Sequence, residues 1–514
     1  MSKGKKEINI EKKTGFMKFL DFVEKVGNKL PHPFTLFVIL MGVIMVISWI
    51  VSAAGISIIH PTTGEVVFSN NLLSGDGVIW MLSNMIKNFT GFAPLGLVLT
   101  MTLGIGLAEK VGFMSAFMRR FMLSAPEKVL LLVVFFIGIV GNIASDAAVI
   151  IIPPLAGALF YSTKRNPIVG IAAGYAATCA GFTANILIAG TDALLAGITQ
   201  EAAQGVMPGI LVSPAVNYYF MIVSTFVLTF VGAWVTKRFV EPQVGKFTPN
   251  EDLVMDESFE VTEKEKKGLK FAGLFTLAYI AMILVILLPA GSIFRGPEGT
   301  LIPSPFLSNI VPFLLLWFIG LSIAYGVSAG TIKSEADIPK HMTSAIRDMS
   351  GYIVLVFVIA QFVQYFNWTN IGLILAVNLS SILQNLNMTG LPMVIGIVII
   401  SAFVNLFIGS GSAKWALLSP VFVPMFILLG YAPEYSQLAY RLGDSVTNAI
   451  TPLFPYFPIL LGFVAKYDKE KAKIGTIMAM MMPYTIAFGV VWLIQLSIWH
   501  LLNLPLGPGG FIYL

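Results

Sequence analysis

Long apolar runs, separated by short polar segments, follow one another over almost the whole chain. A helix that crosses the hydrocarbon core of a bilayer needs about 20 mainly apolar residues. The uninterrupted runs that reach this length lie at 34–55, 90–112, 212–236, 269–290, 306–327, 350–378 and 474–503. The pattern predicts an all-α polytopic membrane protein, because helices satisfy their own backbone hydrogen bonds in lipid.

Two further apolar blocks, 128–161 and 391–430, are each cut near the middle by polar residues. The first is interrupted at 141–146, which reads GNIASD, and the second at 409–414, which reads GSGSAK. A straight helix would hold these groups at the bilayer centre, where an ionisable side chain costs about 2.5–3.5 kcal/mol on insertion scales. A hairpin that returns to its own side keeps the polar tip inside the protein. We therefore expect two re-entrant helical hairpins.

Each hairpin block is followed by an apolar run that is itself broken. The run 167–199 is interrupted at 181–185, and the run 437–463 is broken between 447 and 455. The same order of elements thus occurs twice, as in transporters built from inverted repeats, whose binding sites lie at such helix breaks. Together with these two interrupted helices, about nine transmembrane helices are predicted.

The positions of the basic residues support this topology. If neither hairpin block crosses the membrane, the N-terminus lies inside, the C-terminus lies outside, and most loop lysines and arginines fall on inner segments. A single crossing by either block would exchange the sides of every later loop and break the positive-inside rule. The predicted parts are a cytoplasmic basic leader at 1–32, a first inverted repeat at 33–240 with the hairpin 128–161, a cytoplasmic loop at 241–268, a connecting helix and outer loop at 269–303, and a second inverted repeat at 304–514 with the hairpin 391–430.

Composition narrows the class of protein further. Hydrophobic residues make up 56% of the 514 residues and charged residues 11%, against about 25% charged in an average soluble domain. The net charge of +5 comes from basic residues in loops between spans, so we expect no nucleic-acid partner. The single cysteine, Cys179, excludes an intramolecular disulfide, and the four histidines show no metal-ligand spacing. We expect no organic cofactor.

Polar residues of the second half form a set of oxygen donors. Asn405, Gly409, Asp444 and Asn448 offer amide oxygens, a backbone carbonyl at a helix break and one carboxylate. Asp444 and Asn448 are four residues apart and share one helix face. Hard oxygen donors of this kind suit a small alkali cation, and sodium is the candidate.

A parallel set lies in the first half. Asn142 and Asp146 belong to the tip of the first block, and Thr183 and Asn185 belong to the break in the helix that follows. These residues form a second possible cation site. The alternative for both sets is that the amides and hydroxyls only hold the hairpin tips in place.

Charged and aromatic residues near the second tip are candidates for solute binding. Arg441 lies three residues from Asp444, so a helical ion pair is one interpretation; the other is that Arg441 or Lys414 binds a substrate carboxylate. Trp415 either packs in the core or stacks on an aromatic ring of the substrate. Asp192 either caps a helix or, if it faces the cavity, takes part in proton or cation coupling.

Two other classes of protein compete with a secondary transporter. Ser410, Ser412 and Lys414 suggest an intramembrane Ser/Lys hydrolase, but no oxyanion motif or histidine base accompanies them. An ion channel is the second alternative, although channels seldom need an inverted pair of hairpins. Saturable counterflow in liposomes would favour a carrier, and turnover of a peptide would favour the hydrolase.

Long motifs give the chain a family resemblance. They are GSGSAKWALLSPVFVPMF at 409–426, YRLGDSVTNAITPLFPYFP at 440–458, LPHPFTLF at 30–37, GNIASDAAVIIIPPLA at 141–156 and GYAATCAGFTANILIAGTDALLAGIT at 174–199. The chain resembles the p-aminobenzoyl-glutamate transporter (AbgT) family over nearly its whole length. The family belongs to a larger group of ion-coupled carriers with inverted repeats and paired hairpins.

The resemblance implies a homodimeric carrier, and no enzyme, in the bacterial inner membrane. Its solute would be p-aminobenzoyl-glutamate, a folate breakdown product, and export of sulfonamide drugs is linked to members of the family. By position, the family's sodium site falls on Asn405, Gly409, Asp444 and Asn448. Its transport residues fall on Asp192, Ser412, Trp415, Arg441, Asp444 and Pro452. The resemblance leaves open import or export, and sodium or proton as the coupling ion.

Overall fold

The computed structural model describes residues 31–59, 64–144, 146–245, 259–302, 304–451, 454 and 456–514. Nearly all of the predicted leader at 1–32 lies outside these residues, as does 246–258 of the predicted loop at 241–268. The repeat boundaries inferred from the sequence stay predictions.

In its described residues, the first half holds ten helices and one small sheet. The helices are α1 Pro33–Ala53, α2 Gly75–Thr90, α3 Ala93–Lys110, α4 Phe113–Leu123, α5 Leu130–Val140, α6 Asp146–Ser162, α7 Pro167–Cys179, α8 Gly190–Ala203, α9 Tyr218–Val235 and α10 Glu241–Val244. Strands β1 (Ser57–Ile59) and β2 (Val66–Phe68) pair antiparallel between α1 and α2.

In the second half, every described element of four or more residues is a helix. The helices are α11 Glu263–Leu287, α12 Pro305–Ser308, α13 Ile310–Ala329, α14 Asp337–Asp348, α15 Ser350–Trp368, α16 Ile371–Asn385, α17 Leu391–Asn405, α18 Gly411–Leu428, α19 Pro433–Asn448, α20 Phe457–Ala465 and α21 Ile474–Leu501. Shorter 3₁₀ turns lie at Glu127–Val129, Gly141–Ala144 and Pro297–Gly299, and a π-helical turn at Thr236–Val240 extends α9.

In the described part of the chain, nine helical segments are long and apolar enough to cross a membrane, by length and composition alone. They are Pro33–Ala53, Gly75–Lys110, Glu127–Ala144, Tyr218–Val244, Glu263–Leu287, Ile310–Ala329, Ser350–Trp368, Gly411–Leu428 and Ile474–Leu501. The predicted all-α polytopic class is thus confirmed. Seven of the segments overlap predicted spans, whereas 127–144 and 411–428 are arms of the predicted hairpins. The two interrupted helices are predicted as crossings, but they consist of helical pieces that are too short or too polar to count as membrane spans by themselves.

The predicted span 350–378 is wrong in one respect, because it is not a single helix. Helix α15 ends at Trp368, and Asn370 has a left-handed backbone with φ of 60°. Asparagine adopts this conformation more readily than most residues, so it ends one helix and α16 begins directly after it. The side chain of Asn370 also donates to the carbonyl oxygen of Phe68 at 3.0 Å, which ties the break to the small sheet.

The first hairpin consists of α5, the 3₁₀ turn 141–144 and α6. A Cβ atom added at Gly138 would lie 3.6 Å from Ile152, and one at Gly141 would lie 3.2 Å from the Cβ of Ala148. These residue pairs are nearly equidistant from position 145. The chain therefore reverses at the tip, as the polar cut in the sequence predicts.

The second hairpin consists of α17, the tip 406–410 and α18. The ammonium group of Lys414, in the first turn of α18, donates to the side-chain oxygen of Asn405 at the end of α17. This bond closes the tip from both arms. The predicted second chain reversal is confirmed.

Both arms of each hairpin pack on the interrupted helix that follows it, α7 in the first half and α19 in the second. Helix α7 ends at Cys179 and α8 begins at Gly190, while α19 ends at Asn448 and α20 begins at Phe457. The first break meets the last turn of α19, where the hydroxyls of Thr183 and Ser445 hydrogen-bond at 2.7 Å. The predicted double occurrence of hairpin and interrupted helix is present, and it places the polar residues of both halves together.

Candidate solute and cation site

Most of the predicted site residues lie buried around the second hairpin tip and the two helix breaks. The buried ones are Asn142, Thr183, Asn185, Asp192, Asn405, Lys414, Trp415, Arg441, Asp444 and Asn448. Gly409 and Ser412 are half-buried at the tip. Pro452 lies outside the described residues, as does the side chain of Asp146. Burial of so many polar groups requires that they satisfy one another, and their pairings define the site.

The first pairing joins the hairpin tip to α19. The Nζ atom of Lys414 lies 2.5 Å from Oδ1 of Asp444, and only 1% of the lysine side chain and 5% of the aspartate side chain are exposed. The same ammonium group donates to Oδ1 of Asn405. The hydroxyl of Tyr440 donates to the carbonyl oxygen of Gly411 and lies 3.2 Å from Oδ1 of Asp444. Lys414 is thus held by two oxygen atoms of the predicted sodium site.

The amide of Asn405 binds the end of α19. Its Nδ2 lies 2.6 Å from the carbonyl oxygen of Asp444, 2.8 Å from Oγ1 of Thr447 and 2.8 Å from Oδ1 of Asn448. The Oδ1 atom of Asn448 therefore already accepts from a protein donor. In this arrangement, the tip of α17 is fixed to the last turn of α19.

These contacts decide whether a sodium ion fits the predicted oxygen set. A sodium ion needs several oxygen atoms whose lone pairs are directed at it. Here the side-chain oxygens of Asn405 and Asp444 contact the ammonium group of Lys414, and that of Asn448 contacts an N–H group. A second cation would lie against a buried positive charge. The residues do not fit bound sodium in this arrangement.

The second pairing joins α19 to the first half. The Nη2 atom of Arg441 lies 2.5 Å from Oδ1 of Asp192 and donates to the carbonyl oxygen of Thr183 at 3.1 Å. The other carboxylate oxygen of Asp192 accepts the N–H of Ala189 at 2.7 Å, at the start of α8. The helical pair with Asp444 suggested by the three-residue spacing is wrong, because Asp444 is taken by Lys414. Asp192 has the capping role that the sequence suggested.

Trp415 is fully buried and begins a series of hydrogen bonds. Its ring stacks on Tyr440, with ring centroids 4.7 Å apart and planes inclined by 23°. Its indole N–H donates to Oγ1 of Thr199 at 2.9 Å, and Thr199 donates to Oε1 of Gln437 at 2.8 Å. Tyr440 thus covers a face of the indole ring; stacking of Trp415 on a solute stays a prediction.

This series continues along the start of α19. The side-chain N–H of Gln437 donates to Oδ1 of Asn217 at 3.2 Å, and Nδ2 of Asn217 donates to the carbonyl oxygen of Glu434 at 3.1 Å. We call the run from Trp415 to Glu434 the indole series. Its middle members, Thr199, Gln437 and Asn217, are not among the predicted site residues, although a polar side chain inside an apolar span is itself a signal.

The second possible cation site is not assembled in the same way. Thr183 contacts Ser445, and Oδ1 of Asn185 accepts the N–H groups of the two residues that follow it. Both amide atoms of Asn142 are buried and have no hydrogen-bond partner within the described residues. The structure therefore places Asn142, Thr183 and Asn185 in different contacts, and the cation role of this set stays a prediction.

An apolar cavity of about 520 Å³ lies beside the tip of the first hairpin. Its lining includes Phe113 and Phe117 of α4, Ile143 of the tip, Leu269 of α11 and Trp317 of α13. Among the described residues, none of the predicted site residues lines it. The volume is separate from the polar pairings that define the candidate site.

The fold and the site together define the class of protein. A multi-pass helical protein with two hairpins and two facing helix breaks, whose buried charges lie at those breaks, has the construction of a membrane transporter. Comparison with known proteins gives the family. Residues 18–514 match the family model described as "AbgT putative transporter family". This chain belongs to the AbgT family.

Three relatives are similar over almost their full length. The chain is 43% identical over 493 residues to the p-aminobenzoyl-glutamate transport protein of Escherichia coli (strain K12), and the match covers 96% of each chain. The crystal structure of the Alcanivorax borkumensis YdaH transporter superposes with a TM-score of 0.88 at 36% identity, over 93% of this chain and 100% of that one. Neisseria gonorrhoeae MtrF, described as illuminating a class of antimetabolite efflux pumps, has a TM-score of 0.89 at 41% identity, over 96% and 100%. The family and these relatives are transporters and not enzymes, so the hydrolase interpretation is wrong.

Proposed function

We propose that this protein is a cation-coupled secondary transporter of p-aminobenzoyl-glutamate that also accepts sulfonamide-type drugs. The name of the Escherichia coli relative supports the first solute, and the description of MtrF as an efflux pump supports transport of antimetabolites outward. The observation that carries the proposal is the pair of buried cations, Lys414 and Arg441, beside the aromatic pair Trp415 and Tyr440.

The chemistry of the proposed solute matches these side chains. It has an aromatic ring, which an indole or phenol ring can contact, and two carboxylates, which pair with guanidinium or ammonium groups. The guanidinium of Arg441 already binds a carboxylate, that of Asp192. A solute carboxylate would take the place of Asp192, and this exchange would loosen the contact between the two helix breaks.

The remaining proposed solute contacts lie at the tip and beyond it. Ser412 is half-buried, and its hydroxyl is 3.4 Å from that of Ser410, so it can turn toward a solute. Pro452 enters by the family resemblance alone. Together with Asp192, Lys414, Trp415 and Arg441, these residues form the proposed solute site.

The coupling ion is proposed to be sodium or a proton. Buried ionisable groups at membrane depth mark proton and ion pathways, and Asp444 and Asp192 are the carboxylates of the two buried pairs described here. A sodium ion would use the oxygen set of Asn405, Asp444 and Asn448, with the carbonyl of Gly409, and would require an arrangement of the tip from which the ammonium group of Lys414 has withdrawn. The set in the first half is a second, weaker candidate.

The surroundings of the transporter are part of the proposal. We place it in the bacterial cytoplasmic membrane with its N-terminus inside and its C-terminus outside, because basic residues concentrate on the predicted inner loops. A homodimer is the proposed assembly. Apolar side chains on α11, among them Leu277 and Val285, are exposed in the single chain, and lipid or a second copy would cover them.

Transport by purified protein in liposomes tests the proposed function. Labelled p-aminobenzoyl-glutamate should move saturably under an imposed sodium or proton gradient, and unlabelled solute on the far side should accelerate exchange. Flux that does not saturate would support the channel alternative. Absence of flux with an active control solute, such as a sulfonamide, would remove the named solute.

One variant tests the role of the first pair in coupling. We expect Asp444→Ala to abolish gradient-driven transport, because it removes the carboxylate that either coupling ion would use. Glu335→Gln removes a carboxylate from an exposed position and serves as the matched control. Wild-type gradient-driven rates in Asp444→Ala would show that Asp444 has no coupling role.

A further inference from the structure

The position of Lys414 is not explained by the stability of its helix. It lies in the first turn of α18, where its backbone N–H donates to the carbonyl oxygen of Ser410 at 3.1 Å. The N-terminus of a helix carries a partial positive charge and disfavours a cation. The side chain is nevertheless 1% exposed, so it needs an anion inside the protein, and Asp444 supplies it.

The charges around this lysine are balanced without any further ion. Helix α17 contributes the neutral amide of Asn405, and α19 contributes Tyr440, Asp444 and Asn448. The other buried cation of α19, Arg441, is paired with Asp192. Among the described side chains, one ammonium group and one carboxylate therefore form a neutral set, and an added alkali cation would leave a buried net positive charge.

We propose that the ammonium group of Lys414 is the resident cation of the oxygen site formed by Asn405 and Asp444, so that an alkali cation binds there only when this ammonium group is absent. The lysine is covalently tethered and cannot diffuse away, unlike a sodium ion. The inference concerns occupancy of the site and stands whether or not the proposed solute is carried. Of the two proposed coupling ions, it favours the proton.

Substitution of the lysine converts the site in a defined way. Lys414→Met removes the ammonium group and leaves the carboxylate of Asp444 and the oxygen of Asn405 facing an unfilled volume. Those oxygens then suit a small cation. A ligand that binds only the folded state stabilises it, so sodium chloride at about ten times the dissociation constant should raise the Tm of Lys414→Met by about 1 °C over choline chloride, and a higher concentration should raise it further.

The experiment compares Tm in sodium chloride and in choline chloride for purified full-length protein in detergent. Wild type and Lys340→Met, which removes an exposed lysine, should show no sodium-specific rise. Lys414→Met should show one, and the double variant Lys414→Met/Asp444→Asn should lose it. A folded Lys414→Met protein without a sodium-specific rise would overturn the proposal.

A second measurement decides the matter if Lys414→Met does not fold. Direct binding of radioactive sodium to wild-type protein should show no saturable component, and Lys414→Gln, which keeps a polar side chain at the tip, should gain one. Saturable binding to wild type that Asp444→Asn abolishes would show that sodium binds beside the lysine, and the proposal would be wrong. These readouts measure cation binding, so a failure of transport in liposomes leaves them unaffected.

Discussion

The buried pair of Arg441 and Asp192 joins the two halves of the molecule, and loss of either charge should destabilise the fold. The two side chains are 1% and 9% exposed, and the N–O distance is 2.5 Å. Removal of one partner from a buried ion pair leaves an uncompensated charge and costs about 3–5 kcal/mol. After Asp192→Ala, Arg441 keeps one acceptor in the structure, the carbonyl oxygen of Thr183 at 3.1 Å. We expect Asp192→Ala to lower the free energy of unfolding by about 3–5 kcal/mol.

The aspartate has a second function that a further variant separates from the first. Its other oxygen accepts the N–H of Ala189 at the start of α8, and loss of such a cap costs about 1 kcal/mol. Asp192→Asn keeps an oxygen acceptor but removes the charge. It should therefore be about 1 kcal/mol less destabilising than Asp192→Ala. The double variant Arg441→Met/Asp192→Asn removes both charges. It should be more stable than Asp192→Asn alone, in which Arg441 faces a neutral partner.

Denaturant unfolding of the purified protein, followed by tryptophan fluorescence, measures these differences. A double-variant cycle of Arg441→Met and Asp192→Asn isolates the interaction energy of the pair. Lys340→Met, which removes a cation from the surface, is the matched control and should change stability by less than about 0.5 kcal/mol. The proposed role of the pair would be refuted if each single variant lowered the free energy of unfolding by less than about 1 kcal/mol and the two effects simply added in the double variant.

Three further predictions concern packing, the aromatic pair and pH. A Cβ atom at Gly443 would lie 2.2 Å from the carbonyl oxygen of Val398. Gly443→Ala should therefore separate α17 from α19 and lower the free energy of unfolding by about 1–3 kcal/mol. Gly462→Ala is the control, because a Cβ atom there has no atom within 4 Å and should not destabilise the protein. Trp415→Phe keeps a ring for stacking but loses the indole N–H. Its solute affinity should stay near that of wild type, while the free energy of unfolding falls by about 1 kcal/mol. A large loss of solute affinity would count against stacking. The backbone N–H groups of Lys333 and Ser334, just before α14, lower the pKa of Asp337 below its usual range. Its contribution to stability is therefore present above the unfolded pKa and lost as the pH falls through the folded pKa. The protection factors of the nearby amides against hydrogen exchange should therefore fall in acid, and Asp337→Asn should remove that acid response.

The hairpins could be predicted because their signal is local and strong. Polar residues at 141–146 and 409–414 interrupt apolar blocks that would otherwise be ordinary spans, and the charges of the later loops fit a topology in which neither block crosses. Lipid admits few backbone arrangements, so such an interruption has few explanations. The break at Asn370 gives a weaker signal, because one asparagine in an apolar run is compatible with a continuous helix.

The pairings inside the site could not be predicted, because they depend on contacts between distant segments. Arg441 and Asp192 are 249 residues apart in the chain, and the nearer carboxylate, Asp444, gave a plausible but wrong partner. The sequence placed Lys414 among groups that bind a solute and Asp444 among groups that bind an ion. Only the packing of α18 on α19 shows that the two bind each other.

The indole series has a fixed direction. An indole nitrogen donates and never accepts, so Thr199 must point its proton away from Trp415, where Gln437 and the carbonyl oxygen of Leu195 can accept it. At the other end the carbonyl oxygen of Glu434 only accepts, so Asn217 turns its amide nitrogen toward Glu434 and its oxygen toward Gln437. Gln437 in turn presents its oxygen to Thr199, so both ends of the series set its direction. A group at position 415 that only accepts would leave the single proton of Thr199 facing three acceptors, so the row cannot reverse and the contact between the two halves exists in a single form.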